Sequence, residues 1–405
     1  MVNTSATKII QTGLTRRKLL LSGGALSLAS SGVWAPVFAQ GKPLRIGVLA
    51  PMSGVYASLG SNKVNGIKMF LEEQNMSVEG QKIELLIEDT EAKPQEGLRK
   101  ARKLVEQDNV DVLLGVISSA VGYALKEYVG RTKRVWVTTG AAADGIFKKA
   151  NNNPYAYRAS LSVWQANEPM GKWLATRGYK RYVVTGPDYA MGREALLAFQ
   201  TTFKVSGAEK VGEVFAPLNT SDFAPYLAEI KRMNPDLVYC SYAGSDAVRF
   251  VQQFAAFGLK STIKLAGYGY LVEEDTFPAQ GDAALGVYSL INWAYGIQTP
   301  ENKNFIATYR KKYNSVPTVD SVAGYVGAQV VWTALKALGG KVSSQEALSA
   351  AILAVKINTI RGPISFDPET RNVIQNMYVR EVVKDGGELH NKVLATYDAV
   401  RDPGI

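Results

Sequence analysis

Short β-branched runs and longer helical segments alternate twice along this chain, and that rhythm leaves few folds open to it. The runs Leu44–Leu49, Lys82–Glu88, Val110–Gly115 and Arg134–Thr139 read as strands. Between them, Asn62–Glu73, Pro94–Gln107 and Ala120–Val129 have helical spacing. In the second of these, Leu98, Ala101, Leu104 and Val105 share one face and Pro94 suits a first turn. After Asn151-Asn152-Asn153-Pro154 the alternation restarts, with strands at Arg181–Thr185, Lys210–Phe215, Leu237–Ser241 and Ile263–Ala266. Helices fall at Gln165–Arg177, Arg193–Phe203, Phe223–Met233 and Asp246–Phe257, and in the last of them Val248, Val251 and Phe254 recur at helical spacing. This is the signature of βαβ units around parallel sheets. The chain therefore reads as α/β, with two open sheets in succession. A strand-like run at Gly286–Ile291, three helical stretches to about Val355 and short strands from Thr359 to Val383 complete it. Glycines close the strand ends (Gly115, Gly140, Gly186, Gly244, Gly267), where such sheets turn their backbones toward a ligand.

With 405 residues there is material for two sizeable cores. The first forty stand apart. Arg16-Arg17-Lys18 precedes a weakly apolar run that ends at Val37-Phe38-Ala39, and no acidic residue occurs before Glu72. That is the layout of an export signal over residues 1–39, cut near Ala39, which implies a mature protein in the periplasm. The paired arginines resemble the twin-arginine signal; a general secretory signal with two arginines is the alternative. Removing Lys8, Arg16, Arg17 and Lys18 lowers the net charge from +10 to +6. The remaining Lys and Arg are interspersed with Asp and Glu, so no nucleic-acid surface is expected. Cys240 is the single cysteine and His390, in a Gly-rich polar turn, the single histidine. No intramolecular disulfide can form, and most metal sites and every His-based triad are excluded. Neither a cofactor nor a metal is expected.

Several motifs in fixed order carry a resemblance. Ile46-Gly47-Val48-Leu49-Ala50-Pro51-Met52-Ser53-Gly54 is followed by Leu59-Gly60, Asn65-Gly66, Asp89-Thr90, Gly115–Ser119, Gly186-Pro187-Asp188 and Phe257-Gly258-Leu259-Lys260. From Leu44 to about Thr396 the chain resembles the periplasmic Leu/Ile/Val-binding proteins, the solute-binding components of ABC importers, whose relatives also bind amides, urea and aromatic acids. The resemblance implies the type I periplasmic-binding fold, with two Rossmann-like lobes joined by a hinge of three crossovers and a ligand held between them. The crossings would lie near Tyr157-Arg158, Val287–Leu290 and Arg361–Ile364. The first lobe would then comprise residues 43–158 with 290–363, and the second 159–289 with 364–405.

By the same resemblance the ligand carboxylate would meet Ser118 and Ser119, where a helix N-terminus suits an anion; capping of that helix is the plainer role. Gly140, Ala141 and Ala142 would line the next loop. Amino-acid binders commonly carry a threonine where Ala142 stands, so a hydroxyl that grips the amino-acid head group is missing. Asp246 matches the acid that pairs with a ligand ammonium, and Ser245-Asp246 also reads as a plain helix N-cap. Met191 stands where a tyrosine is common, with Tyr189 two residues earlier. Tyr56, Tyr189, Tyr268 and Tyr270 all sit in strand-end loops and as a group suggest an apolar or aromatic ligand body. The implied partners are a small carboxylate, either an aromatic acid or a branched-chain or aromatic amino acid, and an ABC importer permease, with the binding protein a monomer. A ligand sensor for a membrane receptor would use the same fold. An NAD-dependent enzyme would need Gly-x-Gly-x-x-Gly after the first strand, where the chain has Ala50-Pro51-Met52-Ser53-Gly54.

Overall fold

A computed structural model describes residues 42–405; the export signal expected over residues 1–39 lies outside the described residues. The first sheet contains β1 (Leu44–Ala50), β2 (Ser77–Val78), β3 (Gln81–Asp89), β4 (Val112–Gly115), β5 (Trp136–Thr138) and β6 (Ala156–Arg158), in spatial order β2-β3-β1-β4-β5-β6. All neighbours pair in parallel except β2 with β3. Residues of β1 and β4 are buried on both faces because helices cover each side, which is why these strands are continuously apolar. The covering helices nearest in sequence are α1 (Ala57–Glu73), α2 (Pro94–Arg102) and α3 (Ser119–Thr132).

The chain then enters α4 (Val163–Ala175) and builds the second sheet. Here β7 (Arg181–Pro187), β8 (Glu209–Ala216), β9 (Leu237–Cys240), β10 (Lys264–Tyr268) and β11 (Tyr288–Ile291) run parallel in the order β11-β10-β9-β7-β8. Helices α5 (Ala190–Phe203), α6 (Ala224–Met233), α7 (Gly244–Ala256) and the short α8 (Phe277–Gln280) connect them. Three further helices follow, α9 (Pro300–Tyr313), α10 (Val319–Ala337) and α11 (Gln345–Leu353). Antiparallel strands β12 (Lys356–Thr359), β13 (Gly362–Phe366), β14 (Val373–Asp385) and β15 (Glu388–Val400) then extend the second sheet, β14 pairing with β11.

Helix α10 lies on α1 with backbones in contact. A Cβ on Gly66 would fall 1.9 Å from the Ser321 carbonyl oxygen, and one on Gly324 would fall 2.1 Å from that of Lys63. At the seam between the sheets, the Arg158 N–H donates to the Arg371 carbonyl at 3.0 Å. Arg158 is wholly buried beside Asp402, their closest charged atoms 3.8 Å apart.

Several elements depart from the sequence reading. Helix α1 begins at Ala57, five residues before the expected Asn62, because Gly60 lets the backbone approach the Pro51 carbonyl, where a Cβ would be 1.7 Å away. The helix from Pro94 finishes in wide π-type turns over Lys103–Gln107. In α7 the buried face is Ala247, Phe250, Val251 and Phe254, with Val248 only half-buried. The tail strands β14 and β15 are not short: each has 13 residues, joined at Gly386-Gly387, where both glycines take positive φ. His390 lies on β15 and not in a turn. Cys240 is buried at the end of β9, as a small hydrophobe would be.

Candidate functional site

The carboxyl ends of the parallel strands and the segments that pass between the sheets enclose a cavity of about 340 Å³, at the lower end of the range for small-molecule sites. On one side, β4 ends at Gly115, whose φ of +112° and approach to the Leu49 carbonyl exclude a side chain. The chain then turns through Val116 into α3. Ser118 is the extended N-cap residue, yet its hydroxyl makes no capping bond, and Ser119 Oγ instead accepts the Ala143 N–H at 3.1 Å. The first backbone bond of α3 runs from the Gly122 N–H to the Ser118 carbonyl. The N–H groups of Ser119, Ala120 and Val121 therefore precede the helical ladder and are free to meet an anion.

The loop after β5 is held from behind. Its carbonyls at Thr139, Ala141 and Ala142 accept from Lys63 Nζ at 2.6 Å, Arg158 Nε at 3.1 Å and the Val163 N–H at 2.9 Å. Arg158 Nη2 takes the Ala143 carbonyl. With four oxygens engaged, and the Gly140, Ala141 and Ala143 N–H groups donated to Thr138 Oγ1 and Ser119 Oγ, the loop is fixed by its own neighbours. Gly140 is required because a Cβ there would lie 2.6 Å from the Val116 carbonyl and 2.7 Å from Lys63 Nζ. Lys63 is fully buried and pairs with Asp320 of α10 at 3.0 Å. Burial pushes its ammonium pKa down, against the opposing pull of Asp320.

Five tyrosines supply the walls: Tyr56, Tyr123, Tyr189, Tyr268 and Tyr270. The rings of Tyr268 and Tyr270 lie 5.2 Å apart, and the Tyr189 hydroxyl reaches Met191 Sδ at 3.8 Å. Burial raises the pKa of all five phenols, with Asp246 adding to the rise at Tyr56 and Tyr189, so they stay neutral and can donate. Among the described residues the lining carries no Lys, Arg or His; its single charged residue is Glu194, whose Oε2 is buried without a hydrogen-bond partner.

A family model described as periplasmic binding protein matches residues 43–388. The chain belongs to the periplasmic binding protein family. A Leu/Ile/Val-binding protein homolog 6 of Brucella melitensis is 31% identical over 396 residues, covering 96% of this chain and 99% of that protein. Among solved structures, an ABC transporter substrate-binding protein from Sphaerobacter thermophilus superposes with a TM-score of 0.86 at 32% identity, covering 90% of this chain and 100% of the other. A solute-binding protein of an ABC transporter from Rhodopseudomonas palustris BisB5, in complex with 3,4-dihydroxybenzoic acid, gives 0.84 at 36% identity, covering 89% and 99%.

In this periplasmic binding protein the cavity brings together Ser118, Ser119, Gly140, Ala142, Tyr56, Tyr189, Met191, Tyr268 and Tyr270 of the residues expected from sequence. Two others lie outside the lining. Ala141 is fully buried, its N–H donating to Thr138 Oγ1 and its carbonyl accepting from Arg158 Nε. Asp246 sits in the first turn of α7, where Ala243 and not Ser245 or Asp246 is the N-cap. Its carboxylate accepts the Asn219 N–H at 2.9 Å and pairs with Arg249. Thr139, which opens the loop expected to touch ligand, also lines the cavity; sequence reasoning missed Tyr123, Ser160, Glu194 and Asn292, which line it too. Tyr123 and Glu194 each lie one turn beyond a residue already singled out (Ser119, Met191), and that spacing is a signal that was available. Ser160 follows the end of β6 and Asn292 the end of β11, and neither belongs to a motif.

Proposed function

We propose that this protein is the exported solute-binding component of an ABC importer and captures an aromatic carboxylate between two closing lobes. The observation that carries the reading is a tyrosine-walled cavity with neutral donors at the start of α3 and, among the described residues, no cationic side chain in its lining. Several uncharged donors can hold a carboxylate at a helix N-terminus, and the rings suit a flat apolar body. Ser118 and Ser119 would face the carboxylate, with Gly140 and Ala142 beside them and Tyr56, Tyr189, Met191, Tyr268 and Tyr270 around the ring. An acid without an ammonium group is favoured over an amino acid because Asp246, the acid that the resemblance pairs with a ligand ammonium, lies outside the lining with its carboxylate engaged by Arg249 and Asn219. The aromatic acid bound by the Rhodopseudomonas palustris protein agrees with this choice.

The lobes would divide as 43–158 with 290–363 and 159–289 with 364–405, closing because the ligand touches both. The mature monomer would work in the periplasm, without enzymatic activity, and deliver its ligand to a permease. The test is a thermal-shift screen of residues 40–405, stripped of ligand by unfolding and refolding, against benzoate-like acids and the matching amino acids. Ligand at a thousandfold excess over its Kd adds about 4 kcal/mol, a shift well above noise. Aromatic acids should raise Tm; stabilisation by amino acids alone would reverse the ligand assignment, and no response to any carboxylate would overturn the function.

A further inference from the structure

Three buried amides and two buried hydroxyls at and behind the cavity wall specify the ligand more narrowly. Gln165 Nε2 donates to the Val373 and Val400 carbonyls at 2.9 and 2.8 Å, and since carbonyls only accept, this amide has one possible orientation. Its Oε1 then accepts the Ser162 N–H and Gln375 Nε2, each at 3.2 Å. Gln375 Nε2 also donates to the Ser160 carbonyl at 2.6 Å, which fixes Gln375 in turn. Its Oε1 accepts Asn292 Nδ2 at 3.0 Å. The far end of the relay is Asn292 Oδ1, an atom that can only accept, buried without a partner in a residue that lines the cavity. Thr139 Oγ1 and Ser160 Oγ, both also in the lining, are buried without partners as well. Gln165 and Gln375 are fully buried and Asn292 is 1% exposed.

Orphaned buried acceptors are costly, and a rigid relay that ends on one is a demand for a donor. We infer that the ligand is a hydroxylated aromatic carboxylate whose ring hydroxyl donates to Asn292 Oδ1, with Thr139 and Ser160 completing the subsite. This rests on the reading of the cavity as an aromatic-acid site. An uncharged hydroxyl fits, because Thr139, Ser160 and Asn292 carry no charge of their own to offset an ammonium. The relay joins the segment after β6, the residue after β11 and strand β14, so the same hydroxyl contacts the passages between the two sheets.

The experiment compares, by isothermal titration of the refolded, ligand-free protein, benzoate with 3- and 4-hydroxybenzoate and with their methyl ethers. At least one hydroxy acid should bind tenfold or more tightly than both benzoate and its own ether, since a site built around a donor rejects an analogue that lacks it. Asn292→Leu should erase that ratio, the hydroxy acid binding the variant no more tightly than benzoate or its own ether does, and Asn292→Ser serves if the leucine variant does not fold. Equal affinity for benzoate and both hydroxy acids would overturn the inference and leave the aromatic-acid reading standing. Binding of none of these acids would overturn both.

Discussion

Lys126 shows how a single side chain can be held at a cost. It lies in α3 with its ammonium turned inward to the Ile146 carbonyl and only 7% of the residue exposed. Burial pushes its pKa down to about 8, with Glu127 opposing the shift. Unfolded, the same group keeps its proton up to about 10.4. Between those values the unfolded chain binds more protons, so stability rises with pH across that window and the penalty is constant below it. A shift of this size is worth up to about 3 kcal/mol, and partial solvent access to the ammonium reduces that to about 1–2 kcal/mol. Urea midpoints for wild type and Lys126→Met from pH 7 to 10 should therefore converge or cross in favour of wild type as pH rises. A pH-independent difference would show that the ammonium is not perturbed. Neither the burial of Lys126 nor that of Lys63 was legible in the sequence, where each is one more lysine on a helix. Each is buried because a partner from a distant segment meets it, Ile146 in one case and Thr139 with Asp320 in the other.

Among the elements, α1 and α10 are the pair on which the first sheet depends. Gly66 and Gly324 allow their backbones to touch, and Val64 and Ile67 of α1 are buried in the same core cluster as Val322 and Val326 of α10. Gly324→Ala drives a methyl group into the Lys63 carbonyl, which cannot yield without moving α1. It should cost about 2–3 kcal/mol, measured as a lower urea midpoint with an unchanged slope. A cost below about 0.5 kcal/mol would show that the helices can part freely. The alternation of strands and helices was readable here because each element has its own period. The long β14–β15 hairpin was not, although Gly386-Gly387 between two alternating runs was a usable signal. Its residues are buried on β14 and largely half-exposed on β15, so the pair has no single shared pattern.

On the scale of the molecule, the first sheet is completed by a helix more than 150 residues downstream. Residues 42–158 alone would leave the α10-facing side of α1 uncovered and should show no cooperative thermal transition by circular dichroism. A transition near that of the full chain would mean that α10 is dispensable. The sequence by itself determined the α/β class, the two rounds of alternation and most of the loops that reach the cavity, because strand-end loops follow from local periodicity and turn chemistry. It could not decide which of those residues face the ligand. Asp246 reads as a free acid until Arg249 and Asn219 are seen to occupy it, and Asn292 reads as an ordinary polar residue until Gln375 fixes its amide. Hydrogen-bond capacity is a property of each residue type, but what remains unspent is decided only when segments far apart in the chain are packed together.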